Sequence, residues 1–213
     1  MYKEINKLDD YINRLNVRLI NYESNKESLE DKVFRRFLDL AIVPTICNND
    51  DYDVGYQFVD MYKLKEWDVN MDFIISLSLY NSRRINGIKF FPMMDYVKEL
   101  GVQMYEEDPY GDIEYNYREE MFVLTNNPSY YGASTILYDD MLRSVRNFFR
   151  SDYYLIPSSL HEVIVYSAEY KEIDPEYIKI LIKLVNSHVW SEKQILSNNL
   201  YLYSSVKDII EIA

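Results

Sequence analysis

Between Met121 and Tyr203 the chain alternates short apolar, β-branched runs with stretches of helical periodicity, and that alternation leaves few folds open. Its centre is LIPSSLHEVIVY, Leu155 to Tyr166, which reads as an apolar strand, a Pro-Ser-Ser turn and a second apolar strand. Met121 to Thr125 is a strand, and TNNPSYYG is a polar turn into a helix from Ala133 to about Arg150. That helix sets Leu137, Met141, Val145, Phe148 and Phe149 on one face. After the central strands, Asp174 caps a helix with Pro175 at its first position, where the missing N–H costs nothing. Ile178, Leu181, Ile182 and Val185 form its inward face. Ser191 with Gln194 matches a capping box, and NNLYLYS, Asn198 to Ser204, closes as a strand. The order is β-α-β-β-α-β, that of a split βαβ unit with helices on one face of a mainly antiparallel sheet.

Upstream, Ile5, Leu8, Ile12, Leu15 and Leu19 recur at three- and four-residue steps, which predicts an amphipathic helix from Tyr2 to about Asn21. A second helix, about Lys26 to Leu38, groups Leu29, Val33, Phe34 and Phe37, so the chain is expected to open with a helical hairpin. LDLAIVPTIC, Leu38 to Cys47, turns β-branched, with Pro44 placing it at an edge or ending it in a bulge. Asn48 to Gly55 is rich in turn formers and links it to a strand over Tyr56 to Tyr62, making a β-hairpin. Asn70 to Arg84 is helical, with Phe73, Ile74, Leu77 and Tyr80 inward, and Asn86 to Gly101 is a loop and short helix. The expected class is therefore α+β: an N-terminal helical hairpin, a β-hairpin plus helix, and the C-terminal unit, with the two sheets free to join. The expected units are 1–101, a linker or insertion at 102–120, and 121–213, or one continuous domain.

Charge narrows the partners. The 213 residues carry 23 Lys and Arg against 35 Asp and Glu, a net charge of −12. This balance opposes direct binding to nucleic acid phosphates, which requires clustered cations, and disfavours anionic membranes. A basic protein surface, such as that of a nucleic-acid-binding protein, is the complementary partner. No apolar run spans a bilayer and the start lacks a signal-peptide core, so a cytoplasmic location is expected. One cysteine, Cys47, allows neither an internal disulfide nor a cysteine-cluster metal site, and it reads as a small buried hydrophobe. There are 22 tyrosines, which suit either an interaction surface or an aromatic sheet face. Oligomeric state is not legible.

Ser158, Ser159, His161 and Glu162 are the compact set of nucleophile, base and carboxylate types. On a strand Ser159 and His161 share a face while Glu162 points away, and a hydrolase using Ser158 or Ser159 with His161 is the enzymatic alternative. It lacks a G-x-S-x-G elbow and a visible oxyanion hole; serines bonded to the turn backbone are the plainer reading. His188 falls in the last turn of the Asp174 helix, where the helix end favours a cationic imidazole. NNDDYD, Asn48 to Asp53, resembles the start of a calcium loop without its glycine and final glutamate, and no phosphate-binding glycine motif occurs. No cofactor and no metal are expected. Met104 to Glu120 carries seven acids and four tyrosines against one arginine. Tyr105, Glu106, Glu107, Asp108, Tyr110, Asp112, Glu114, Tyr115 and Tyr117 are the candidate contacts to a basic partner, with carboxylates imitating nucleic acid charge and tyrosines anchoring.

NYESNKESLEDKVFRRFLDLAIV, MFVLTN with GASTILY, YYLIPSSLHEVIV, and LVNSHVWSEKQILSNNLYLY together resemble an uncharacterised family, a domain of unknown function of anaerobic Gram-positive gut bacteria. The resemblance runs from about Ile5 to Tyr203 and is strongest after Met121. It implies that a further N-terminal region of strands, usual in the family, is absent here and that this is a shortened form; it supplies no activity or catalytic residues. The favoured expectation is a non-enzymatic acidic protein-binding protein. Its concrete form is a phage or mobile-element inhibitor that occupies the basic surface of a nucleic-acid-binding host defence protein.

Overall fold

The structure, a computed structural model, describes residues 8–47, 56–93, 95, 121–170, 174–188 and 192–213. These build an α+β fold with two antiparallel sheets. The first has four strands: β1 (Leu15–Asn21), β2 (Arg35–Phe37), β3 (Leu40–Cys47) and β4 (Tyr56–Phe58). β3 is central, with β1 along one side and β2 and β4 sharing the other. The second has six, β5 (Lys89–Pro92), β6 (Met121–Thr125), β7 (Tyr153–Ile156), β8 (Val163–Ser167), β9 (Tyr201–Ser204) and β10 (Ile209–Ile212), in the order β10-β9-β7-β8-β6-β5.

The expected N-terminal helical hairpin is not formed. Ile12–Arg14 is a single 3-10 turn, and Leu15–Asn21, assigned by periodicity to a helix, is strand β1. Leu15 and Leu19 fit both periods, because four residues is one helical turn and also two strand repeats. Alternation decides: Leu15, Val17 and Leu19 face one core and Asn16, Arg18 and Ile20 another layer, and all six are buried. The second expected helix, about Lys26 to Leu38, is replaced by a 3-10 turn at Glu27–Leu29 and β2, and a four-residue α1 (Tyr22–Asn25) precedes it. Pro44 lies inside a central strand rather than at an edge. Its ring nitrogen faces away from β1, towards the gap between β2 and β4, where no ladder N–H is required; its carbonyl accepts from Val59 N–H at 3.0 Å.

Among the described residues four longer helices pack on these sheets. Asp60 caps α2 (Met61–Trp67), and Asn70 caps α3 (Met71–Asn86), which stops at Gly87 with φ 63°. α3 meets the protein through Ile74, Ile75, Ser78, Asn81, Ser82 and Asn86, while Phe73 and Tyr80 lie on its exposed side. This correction to the expected inward face has a physical cause. β1 is an edge strand, and the polar side of α3 lies along it in place of a neighbouring strand: Ser82 Oγ accepts the Val17 N–H at 2.7 Å and Asn81 Nδ2 donates to Ile12 O at 2.5 Å.

In the C-terminal part the order strand, helix, strand, strand, helix, strand is realised as β6, α4 (Asp139–Phe149), β7, β8, α5 (Pro175–Asn186), β9. The helix expected from Ala133 begins as a 3-10 segment, Gly132–Leu137, before α4. The two helices do not share one face. α4 covers the side bearing Tyr153, Leu155, Val163, Val165, Tyr201 and Tyr203, and α5 covers the other, with Tyr154, Ile156 and Tyr166. Strand order explains this: β6 and β8 run antiparallel, yet both crossovers step in the same direction over one intervening strand. Crossovers of one hand then fall on opposite faces. The main core draws on both parts of the chain, from Leu15 and Val17 to Tyr201 and Tyr203, and β5 joins the C-terminal sheet.

Candidate functional site

The face of the first sheet that carries Asn16, Arg18, Thr45, Cys47 and Tyr56 meets the loop after β6 and the turn between β7 and β8. Arg18 is the centre of this junction. Its side chain is almost fully buried, and its guanidinium lies between the rings of Tyr56 and Tyr131, 3.2 and 3.4 Å from their centroids. Among the described residues no carboxylate forms an ion pair with it. Burial pulls its pKa below the ordinary value, and the tyrosines push the other way.

The local chain is built to hold Tyr131 there. Asn126 folds the loop by donating from Nδ2 to Tyr130 O at 2.9 Å and accepting Tyr130 N–H at 3.1 Å. Ser129 and Tyr131 then adopt left-handed backbone, φ 53° and 52°, an uncommon state for a non-glycine residue and one worth reading as a constraint. Gly132 follows because nothing larger fits: a Cβ there would lie 2.6 Å from both Asn126 N and His161 O, and closer still to Thr125 Oγ1.

A cavity of about 20 Å³ opens beside Arg18, lined also by Thr45, Cys47, Asn86, Asn126 and Tyr130. Asn16 Oδ1, on its wall, accepts from Ser82 Oγ and Asn86 Nδ2, both at 3.0 Å, and Asn16 Nδ2 points at Cys47 Sγ, 3.5 Å away. Three buried polar atoms of lining residues have no hydrogen-bond partner among the described residues: Arg18 Nη1, Thr45 Oγ1 and Asn86 Oδ1. Burial pushes the Cys47 thiol pKa up despite nearby Arg18, which keeps it protonated and a poor nucleophile at neutral pH.

The turn residues Ser158, Ser159, His161 and Glu162 adjoin this junction, in an arrangement different from the strand-based expectation. Both serine hydroxyls donate to Glu162 Oε1, at 3.0 and 2.7 Å, and Ser159 Oγ accepts the His161 backbone N–H at 2.9 Å. His161 Nδ1 accepts the Tyr131 N–H at 3.1 Å, and its ring stacks on Tyr130 at 4.9 Å. Residues 157–162 are turn rather than strand, so alternation does not govern them. The imidazole is thus directed to the Tyr130–Tyr131 loop, and the carboxylate is directed to the serines.

His188 follows α5 with Nδ1 2.8 Å from Leu184 O, at the helix end as expected. Asn48 to Asp53, the acidic contacts Tyr105 to Tyr117 and Ser191 of the capping box lie outside the described residues. Among the described residues no group of three or more His, Cys, Asp or Glu is placed to hold a metal ion, and no helix is long and apolar enough to cross a membrane. Sequence reasoning missed Arg18, Thr45 and Asn86. The available signal was an arginine set between the alternating apolar residues Leu15, Val17 and Leu19.

No curated protein and no solved structure matches the chain. A family model matches residues 1–205, nearly the whole length, under the description "Family of unknown function (DUF5688)". The chain that carries this arginine junction between two sheets is therefore a member of the DUF5688 family.

Proposed function

We propose that this chain is a non-enzymatic acidic binding protein that docks on a protein partner through an exposed apolar helix face. The observation that carries the reading is the outer side of α5, where Tyr177, Ile180 and Leu184 remain 54–62% exposed on one arc. Val185, expected on the inward face, is also 62% exposed because it lies past the edge of the sheet-facing stripe of Ile178, Leu181 and Ile182. The same helix already buries Ile178 and Ile182 against the sheet, so it is apolar over more of its circumference than its own fold uses. The charge of −12 selects a basic partner surface. The narrower form is an inhibitor carried by a phage or mobile element that covers the basic surface of a nucleic-acid-binding host defence protein, with Met104 to Glu120 supplying the acidic contacts. Density of carboxylates and tyrosines in that segment supports it.

The test is capture from host lysate at low and high salt with three proteins: the parent chain, an Ile180→Glu/Leu184→Glu double variant, and a chain with Glu106, Glu107, Asp108, Asp112 and Glu114 changed to amides. A partner lost by the α5 variant and released by salt or by the amides is the expected result. Capture unaffected by both sets of changes, or no capture, ends the proposal. The alternative hydrolase requires Ser158 or Ser159 to leave Glu162 and His161 to leave Tyr131. A fluorophosphonate probe is expected to give no labelling that depends on either serine.

A further inference from the structure

We infer that the cavity at Arg18 is a binding site for a small hydroxyl-bearing oxyanion, of which bicarbonate is the smallest example. Arg18 Nη1 can only donate, Asn86 Oδ1 can only accept, and Thr45 Oγ1 can do either; all three are buried and without partners among the described residues. Buried polar atoms are nearly always satisfied, so three orphans around one cavity describe an occupant.

Its chemistry follows from the three roles. The rings of Tyr56 and Tyr131, inclined at 64° to one another, both pack on the guanidinium carbon, and Nη1 is the nitrogen left without a partner among the described residues. Among the described residues no carboxylate balances that charge, which favours an anion over neutral water. A halide or a carboxylate would accept from Arg18 and Thr45 but would set bare negative charge against Asn86 Oδ1. The orientation of Asn86 is fixed by its Nδ2 bond to Asn16 Oδ1, which Ser82 also holds, so the amide presents its oxygen. A protonated oxyanion supplies an acceptor oxygen for Arg18 and an O–H for Asn86. A volume of about 20 Å³ restricts the occupant to the smallest ions of this class.

The experiment titrates the full chain with sodium bicarbonate, inorganic phosphate, chloride and acetate at fixed pH and ionic strength, read by thermal melting and calorimetry. Saturable stabilisation by bicarbonate, exceeding that by chloride and acetate, is expected; phosphate acting in place of bicarbonate assigns the same site to a larger ion of the class. Thr45→Val removes an unpartnered hydroxyl and so melts at the parent temperature or higher without anion, yet binds roughly tenfold more weakly, as loss of one hydrogen bond to a charged group implies. Arg18→Lys, which keeps the charge but moves the donor, weakens binding as well. Chloride matching bicarbonate would overturn the hydroxyl requirement and with it the proposal. No saturable response to any of the four ions would show that water alone fills the cavity, and would overturn it equally.

Discussion

The two sheets of this protein handle buried polarity in opposite ways. In the C-terminal sheet, Thr125 and Ser204 apart, buried polar groups arrive as tyrosine hydroxyls on large apolar rings: Tyr153 stacks on Tyr203 at 4.7 Å, Tyr154 on Tyr166 at 5.1 Å, and the hydroxyls of Tyr153 and Tyr201 reach Leu142 O and Asp39 Oδ1 at 3.0 and 2.6 Å. In the N-terminal sheet the buried polar groups are amides, hydroxyls and one guanidinium, assembled from β1, β3 and α3. The first arrangement adds apolar area with each polar atom and has few dependencies. The second is a network in which each member fixes the next, so its failures are local and steep.

Alkaline titration should separate the two most strongly. Burial raises the pKa of Tyr153, Tyr166 and Tyr201, and that of Tyr203 to about 12 with a further push from Asp208. Raised folded values mean that these hydroxyls contribute stability fully below the unfolded tyrosine value of about 10, and that it is lost as pH rises through the folded values. Cooperative unfolding above pH ~10, coincident with tyrosinate absorbance, is expected, since several buried tyrosinates outweigh a total stability of about 5–15 kcal/mol. Tyrosines that ionise freely at pH ~10 while the far-ultraviolet dichroism stays native would contradict this account.

The junction should break most sharply at Gly132. An added methyl meets the backbone of Asn126 and His161 as well as the buried Thr125 hydroxyl, so Gly132→Ala is expected to cost about 3 kcal/mol or more in urea unfolding. A cost below ~1 kcal/mol would mean that the loop carrying Tyr131 is not held as tightly as the geometry requires.

The same contrast governs what was legible beforehand. In the C-terminal part, β-branched runs, the Pro-Ser-Ser turn and the Asp174-Pro175 cap each act within a few residues, and the strands and helices fall where those cues put them. Strand order does not act locally, so the placement of α4 and α5 on opposite faces was invisible. β10 was missed because its turn uses Asp208 in left-handed backbone, without a glycine to mark it. In the N-terminal part, periodicity misled because both faces of β1 are buried, and polar Asn16 and Arg18 therefore carried no inside-outside signal. Cys47 was expected to be a buried hydrophobe in a strand, and it ends β3 with its thiol held protonated. Arg18, alone in its segment, gave no hint that Tyr56 and Tyr131 would converge on it from 38 and 113 residues further along the chain.

Adjacent residues on α3 give the finest test of the comparison. Ser82 is fully buried and its hydroxyl serves both Val17 N–H and Asn16 Oδ1; removing it strands a buried backbone donor, so Ser82→Ala should cost about 1–3 kcal/mol. Arg83, one position on, pairs with Asp140 of α4 at 2.8 Å, but both side chains are largely in solvent, at 43% and 62% exposure. Arg83→Met is therefore expected to cost no more than about 0.5 kcal/mol at neutral pH. The Arg83 hydrogen bond holds the Asp140 carboxyl below its usual pKa, so the pair contributes above the unfolded value of about 3.9 and is lost as pH falls through the lower folded one. The parent and Arg83→Met proteins should accordingly converge in stability under acid, whereas the Ser82→Ala deficit should persist across the same range. If the two substitutions cost the same at neutral pH, burial is not what distinguishes the polar seam of α3 from its surface, and the network account of the N-terminal sheet fails with it.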